Sequence, residues 1–126
     1  MSGDDRRLSA GALRLALATA EPFYAGAAAL RNWMFDAGIR IIEVGHMLMG
    51  PYCTMLLADL GAEVIKIEPV GGDIARTIGP HRCGGHNAYF ASLNRNKKSV
   101  ALDLASADGQ RSLGELARDA RALVTN

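Results

Sequence analysis

The chain has 126 residues, 49% of them hydrophobic, and a formal net charge of +1 at pH 7. That length and composition predict a globular domain with a real core, and the near-zero charge gives no basis for binding nucleic acid or an anionic membrane surface. The sequence has no run of eighteen apolar residues, so it predicts no membrane span. Two cysteines without a secretory context favour a reducing, cytoplasmic setting over a disulfide scaffold.

The first 36 residues differ in composition from the rest of the chain. They are rich in Ala, Leu and Arg, and a pair of arginines ahead of the apolar stretch 8–20 faintly resembles a signal peptide. Arg14 interrupts that stretch, which argues against this interpretation. We therefore predict a variable N-terminal extension over residues 1–36, helical or disordered, and a separate α/β unit over residues 37–126.

Residues 38–68 predict a strand–helix–strand unit. Residues 39–44 are a β-branched run of strand length, and Gly50-Pro51 then precedes a helix predicted over 52–60. Gly61 suits the left-handed residue that ends a helix, and a second apolar strand follows at 64–67. A right-handed crossover leaves the loop after the first strand at the carboxyl edge of the sheet, where such sheets bind ligands. The expected core residues are Leu56, Leu57, Leu60, Val64, Ile65 and Ile67.

The rest of the chain continues the alternation of strands and helices. A long glycine-rich loop at 70–86 is typical of a functional segment. The pattern beyond it predicts a helix at 87–93, a strand at 99–104, a helix N-capped by Ser106 and the start of a fourth strand at 122–125. The predicted fold class is therefore α/β, with a Rossmann-like parallel sheet and helices on both faces.

Three groups of side chains are candidates for chemistry. His46 follows the first strand, either as a donor to a ligand or as a turn histidine bonded to the backbone. Residues 94–98, NRNKK, form either a solvated basic turn or a group that steers an anionic ligand. The histidines and cysteine at 81–86, with Cys53, suggest zinc ligands, but their spacing matches no familiar motif and Cys53 is expected to be a small buried hydrophobe. We expect no metal site.

Several blocks of sequence together resemble the family III CoA-transferases. The blocks are HMLMGPYCTMLLADLGAEVIKIE at 46–68, GGD at 71–73, YF at 89–90 and NRNKKSVALD at 94–103. They agree in order over roughly residues 38–126, which is far more specific than one motif. The resemblance implies a truncated first half of the large domain of an enzyme that moves CoA from an acyl-CoA thioester to a small carboxylic acid.

The resemblance also implies a coenzyme A site, with CoA or acyl-CoA as substrate and no cofactor bound covalently. Pro69 and Ala105 occupy two positions at which the family often has a cation, so two expected contacts to the nucleotide are absent. The positions that match CoA contacts of the family are His46, Met47, Leu48, Met49, Leu102, Asp103, Leu104 and Asn126.

The family nucleophile is an aspartate that forms a mixed anhydride with the acyl group. It lies downstream of the position matching Asn126, so no catalytic residue is expected in this chain. Glu68 is expected to order the following loop, and Asp73 to cap or turn it. Full-length family members form an interlocked homodimer.

The sequence leaves three alternatives open. One is an acyl-CoA racemase of the same superfamily, whose acid and base would also lie beyond Asn126. Another is an NAD-type dinucleotide-binding domain, because Glu68 ends the second strand where a ribose-binding acid belongs, although Gly45 and Gly50 do not make the usual glycine fingerprint. The third is a non-catalytic fragment of the fold.

Overall fold

Helices and strands alternate along the described part of the chain. The structure, a computed structural model, describes the backbone of residues 3–126 and the side chains of residues 18–82 and 84–126. The helices are α1 (Gly3–Asp36), α2 (Met49–Asp59), α3 (Ala88–Asn94) and α4 (Ala107–Arg118), with a 3₁₀ helix at Ile74–Thr77. The strands are β1 (Arg40–Val44), β2 (Glu63–Glu68), β3 (Arg82–Cys83), β4 (His86–Asn87), β5 (Lys97–Ala101) and β6 (Ala122–Thr125).

Four of the strands form one parallel sheet in the order β5-β2-β1-β6. Ile42 at the middle of β1 pairs with Ile65 of β2 and with Leu123 of β6. These are the third, second, first and fourth strands of the sheet in chain order, which is the arrangement of the first four strands of a Rossmann fold. The prediction of a Rossmann-like parallel sheet is confirmed, and β3 and β4 form a separate antiparallel pair within the long loop.

The sheet buries an apolar cluster on each face, because successive side chains of a strand point to opposite sides. The cluster on the first face joins the end of α1 and the inner side of α2 to the sheet; its buried members are Met34, Ile41, Ala58, Ala62 and Val64. The cluster on the second face is covered by α4; it contains Ile42, Ile65 and Ile67, with Leu113, Leu116, Ala117 and Ala120 packed against them. Helices therefore cover both faces, as predicted.

Helix α1 covers most of the predicted N-terminal extension. It runs through Pro22 and ends at Asp36, and Met34 is its one buried residue among the side chains described. Phe23 and Tyr24 are exposed. Residues 1 and 2 of the extension lie outside the described residues. Within the part of the chain that the structure covers, no helix has both the length and the apolar character needed to cross a membrane.

Helix α2 begins three residues earlier than predicted. Pro51 therefore lies within its first turn, where a backbone N–H has no partner inside the helix, so its absence in proline costs no hydrogen bond. The helix ends ahead of Gly61, which has a φ of +101° and so confirms the predicted left-handed residue. A Cβ at Gly61 would lie 2.6 Å from the carbonyl oxygen of Arg31 in α1, so glycine also permits the two helices to meet there.

The inner side of α2 is not the one that the sequence predicts. Leu56 is 45% exposed, so its place in the expected core is wrong, and Leu57 and Leu60 are only partly buried. Cys53, expected to be buried, is exposed. Thr54 faces the sheet instead, and its hydroxyl donates a hydrogen bond to the carboxylate of Glu43 in β1. The remaining expected core residues, Val64, Ile65 and Ile67, are buried.

Strand β5 begins two residues before its predicted start and ends at Ala101. The apolar alternation of Leu102 and Leu104 suggested a longer strand, but both residues lie in the following loop and still pack against the second core cluster. Lys97, read from the sequence as part of a basic turn, is the first residue of the strand. Its side chain is only 2% exposed and reaches Glu43 beneath α2.

Candidate functional site

An open pocket lies over the carboxyl ends of β1, β2 and β5. Its volume is about 690 Å³, within the range of small-molecule sites. Residues 44–46 line it at the end of β1, residues 67–70 and 72–74 at the end of β2 and in the loop after it, and residues 102–104 in the loop after β5. The carboxyl edge is the place at which open α/β sheets bind ligands.

The structure brings half of the predicted site residues together in this pocket. His46, Leu102, Asp103 and Leu104 line it. The other predicted residues after β1 form the adjoining turn and are exposed: Met47, Leu48 and Met49. Asn126 does not line the pocket, but it bonds directly to His46.

The carboxamide of Asn126 pairs with the backbone of His46. The His46 N–H donates to Asn126 Oδ1 at 3.1 Å, and Asn126 Nδ2 donates to the His46 carbonyl oxygen at 3.2 Å. Asn126 directly follows β6, so this contact continues the β1–β6 ladder by means of a side chain. It lies between the first and fourth strands, where the strand order reverses and Rossmann-like sheets open a crevice. The contact fixes where the loop after β1 begins.

Two glycines make room for this carboxamide. A Cβ on Gly45 would lie 2.4 Å from Asn126 Oδ1, and a Cβ on Gly50 would lie 2.7 Å from the same atom. Real Cβ atoms do not approach that closely, so either side chain would displace the carboxamide. The glycines that the sequence marks only as turn residues are therefore part of the geometry of the His46 loop.

A cluster of four buried charges lies beneath the pocket loops; we call Glu43, Lys66, Asp73 and Lys97 the buried charge cluster. Lys66 Nζ is 2.7 Å from Glu43 Oε1 and 2.8 Å from Asp73 Oδ2, and Lys97 Nζ is 2.8 Å from Glu43 Oε2. The contact of Asp73 Oδ2 lacks the geometry of a hydrogen bond and is held by charge alone. The side chains are at most 2% exposed, and their charges balance.

Burial lowers the pKa of Lys97 below its ordinary value, while the hydrogen bond and the charge of Glu43 act in the opposite direction. The sequence pattern does not predict this cluster. The available signal was the presence of Glu43 and Lys66 inside otherwise apolar strands, since a buried charge needs a partner.

Glu68 and Asp73 hold the loop that follows β2. The carboxylate of Glu68 accepts hydrogen bonds from Arg76 Nε, Arg76 Nη2 and Ser99 Oγ, each at 2.7 Å, and from the Asp73 N–H at 2.9 Å. Asp73 caps the 3₁₀ helix by accepting from the Ala75 N–H. The guanidinium of Arg76 lies 3.8 Å from the centre of the Phe90 ring. The predicted ordering role of Glu68 and capping role of Asp73 are confirmed.

The environment of Glu68 also sets its ionisation. Burial alone would raise its pKa, but the hydrogen bonds from Arg76, Ser99 and the Asp73 backbone outweigh burial and lower the pKa to about 2. Glu68 is thus a carboxylate throughout the physiological pH range.

The basic segment at 94–98 does not face the pocket. Its cations pair with acidic residues of other elements: Arg95 with Asp59, Lys97 with Glu43, and Lys98 with Glu63. Lys97 and Lys98 open β5, at the amino end of the sheet. Among the residues whose side chains are described, no three His, Cys, Asp or Glu groups are placed to hold a metal ion.

Comparison with known proteins assigns the chain to a family. The model of CoA-transferase family III matches residues 37–126. The chain belongs to this family. A human succinyl-CoA:glutarate CoA-transferase is 44% identical over 90 residues, which is 71% of this chain and 20% of that protein. A succinyl-CoA–D-citramalate CoA-transferase from Chloroflexus aurantiacus is 51% identical over 73 residues, 57% of this chain and 18% of that protein.

Two solved structures share the fold of this chain. A CaiB/BaiF family protein from Brucella suis has a TM-score of 0.66 and 35% identity, covering 71% of this chain and 25% of that one. A hypothetical protein from Mycobacterium tuberculosis has a TM-score of 0.61 and 37% identity, covering 68% of this chain and 22% of that one. The chain spans about a fifth of the length of the curated relatives it matches.

The contact between Asn126 and His46 predicts the effect of filling the space at Gly45. In Gly45→Ala the new methyl group displaces the carboxamide, so both hydrogen bonds to His46 are lost. We expect the free energy of unfolding in denaturant to fall by about 0.5–1.5 kcal/mol, because the lost hydrogen bonds are exposed and water replaces them. Adding Asn126→Ala to Gly45→Ala should cost little more, because the same contact is already gone.

Gly71→Ala is the matched control, since a Cβ at Gly71 meets nothing within 4 Å. It should leave the unfolding midpoint nearly unchanged. Full additivity of Gly45→Ala and Asn126→Ala would show that the two positions are not coupled.

The pKa of Glu68 predicts how stability depends on pH. Because the folded-state pKa is lowered from 4.5 to about 2, the stabilisation by Glu68 is complete above pH 4.5 and is lost as the pH falls through about 2. Glu68→Gln should lower the free energy of unfolding by about 1.5–3 kcal/mol at pH 7. The difference from wild type should shrink as the pH is lowered from 4.5.

Denaturant titrations from pH 7 to pH 2.5 measure this difference. Glu115→Gln, on the exposed side of α4, is the control and should show no comparable loss. A difference between wild type and Glu68→Gln that stays constant over the whole range would contradict the lowered pKa.

Proposed function

We propose that this chain supplies part of the coenzyme A site of a CoA-transferase that moves CoA from an acyl-CoA thioester to a carboxylic acid. The observation that carries the proposal is the pocket at the carboxyl edge of the sheet of a family III chain, lined by four of the positions that match CoA contacts. The names of the relatives support the reaction class, because they describe transfer between CoA thioesters and carboxylic acids such as glutarate and D-citramalate.

The pocket wall after β5 suits the adenine end of CoA. Leu102 and Leu104 bring apolar surface to it, and Ile67 adds apolar surface from β2. Packing a flat base against such surface is favourable, because it removes apolar area from water. Asp103 uses its carboxylate to accept from the Ala105 N–H, which holds the turn of this wall.

The turn from His46 to Met49 suits the phosphates. It leads into the N-terminus of α2, where N-cap Leu48 provides no side-chain hydrogen bond and the first turn has no acidic residue. Free N–H groups and the helix dipole at such an end favour an anion. We assign the phosphate contacts to this turn and to His46, because the basic residues at 94–98 are paired with acids elsewhere.

The nucleophile of the reaction lies outside this chain under this proposal. Glu68 accepts four hydrogen bonds, and Asp73 is buried, caps the 3₁₀ helix and pairs with Lys66. Neither carboxylate is free to attack a thioester. The aspartate implied by the family resemblance, downstream of Asn126, takes that role in a cytoplasmic, interlocked homodimer of the whole protein.

Titration calorimetry with CoA tests the placement of the ligand. Val70 is 75% exposed and lines the pocket, so Val70→Glu adds a negative charge near the CoA phosphates without disturbing the core. We expect Val70→Glu and Met49→Glu to weaken CoA binding by about tenfold or more, and His46→Ala to weaken it less, because like charges repel.

Leu56→Glu is the control, because Leu56 is an exposed residue of α2 that does not line the pocket. NADH is the control ligand and should not compete. Unchanged CoA affinity in Val70→Glu, or equal losses in Val70→Glu and Leu56→Glu, would refute the placement.

A transfer assay tests the absence of a nucleophile from this chain. Residues 1–126 are incubated with an acyl-CoA and a free carboxylic acid such as glutarate, and acyl exchange is followed. We expect no turnover above the blank, because the carboxylates at the pocket are held by donors or by an ion pair. Turnover that Glu68→Gln or Asp73→Asn abolishes would instead make one of these residues the nucleophile.

A further inference from the structure

The loop between β1 and α2 is held at both ends by buried lysines. At its start, Lys66 Nζ donates to the carbonyl oxygen of Gly45 at 2.8 Å. Just beyond its end, in the first turn of α2, Lys97 Nζ donates to the carbonyl oxygen of Pro51, also at 2.8 Å. Residues 46–50 lie between these two points, and Met47, Leu48 and Met49 are exposed. The two ammonium groups thus set the span of the turn.

Both lysines pair with the carboxylate of Glu43; Lys66 also contacts Asp73, and Lys97 also donates to Asn94 Oδ1. Glu43 Oε1 accepts from Lys66 and Glu43 Oε2 accepts from Lys97, so the carboxylate bridges the two ends of the loop. Thr54 Oγ1 adds a hydrogen bond to Glu43 Oε2 and joins α2 to the same point. Glu43 is fully buried, so water cannot take its place between the two cations.

We propose that Glu43 is a positioning residue for the coenzyme A site, and that it acts through Lys66 and Lys97 to fix the His46–Met49 turn. The proposal rests on the proposed function for the identity of the ligand, but the positioning itself is a property of the free protein. Glu43 does not line the pocket, and its influence reaches the ligand only through the backbone that the lysines hold.

A purely structural role would have a different consequence. If Glu43 served only to neutralise buried cations, its loss would weaken all parts of the sheet alike, and restoring charge balance would restore the protein. If Glu43 positions the turn, its loss frees residues 46–51 before the rest of the sheet opens. Local opening of this kind is visible in the exchange rates of single amide protons.

The test combines amide hydrogen exchange, measured by NMR on the free protein, with calorimetric titration of CoA. In Glu43→Gln we expect the exchange of the His46 and Tyr52 amides to accelerate by about tenfold or more, the effect expected from losing hydrogen bonds to charged groups. The Leu102 amide, which bonds to the Glu68 carbonyl oxygen, should keep its exchange rate. CoA affinity should fall by a similar factor.

Glu63→Gln is the matched control. Glu63 is likewise a carboxylate shared by two cations, Arg40 and Lys98, but it lies at the amino end of β2 and is 30% exposed. This variant should change neither the amide hydrogen-exchange rates of His46 and Tyr52 nor the affinity for CoA. An equal acceleration at His46 in both variants would overturn the proposal.

A charge-balanced variant separates positioning from structure. In Glu43→Gln combined with Lys97→Met, the cluster retains one cation and one anion, so the resistance to denaturant should recover relative to Glu43→Gln. Loop exchange should stay fast, because the donor to Pro51 is gone. If Glu43→Gln alone does not fold, this double variant provides the same readout.

Two results would overturn the proposal: wild-type exchange rates at His46 in Glu43→Gln, or their recovery in the double variant. If the wild-type chain does not bind CoA, the proposed function fails, and the exchange rates still decide whether Glu43 positions the turn.

Discussion

The carboxylate of Glu43, shared between Lys66 and Lys97, is the contact on which the candidate site depends. The face of the sheet beneath α2 is apolar near the amino ends of the strands, at Ile41 and Val64. The next residues on the same face, Glu43 and Lys66, are charged. Removing such charges from water is costly, and apolar residues of similar size often stabilise a protein as well. The buried lysines also make directional hydrogen bonds to particular carbonyl oxygens, those of Gly45 and Pro51, and apolar side chains could not do so.

Much of the fold could be predicted from the sequence because local rules governed it. The β-branched run before Val44 and the apolar residues after Glu63 both form strands. Gly61 ends α2, and Ser106 caps α4 by accepting from the Gly109 N–H. Each of these outcomes depends on residues close in sequence. The place of the pocket also followed, since the topology of a strand–helix–strand unit decides which edge carries the ligand loops.

What the sequence could not show depends on distant partners. Glu43 and Lys97 are 54 positions apart, and His46 and Asn126 are 80 apart. A lysine at the start of a strand has the same local sequence pattern whether it is solvated or buried against a carboxylate. The pattern around Lys97 therefore predicts only a basic turn. The prediction of the inward side of α2 is wrong for the same reason. Thr54 faces the sheet because its hydroxyl donates to Glu43, and Leu56 is therefore exposed to solvent.

Hydrogen bonds from three different strands or strand ends restrain the backbone of the His46 loop. Asn126 holds the backbone of His46 from the end of β6, while the lysines hold Gly45 and Pro51 from below. Tyr89 Oη adds a hydrogen bond to the Met47 carbonyl oxygen at 3.3 Å, and the side chains of Met47, Leu48 and Met49 stay exposed. A loop ordered before binding loses less conformational freedom on meeting its ligand. Under the proposed function, the buried charges therefore contribute to CoA affinity without touching CoA, because they remove alternative conformations that the loop would otherwise adopt.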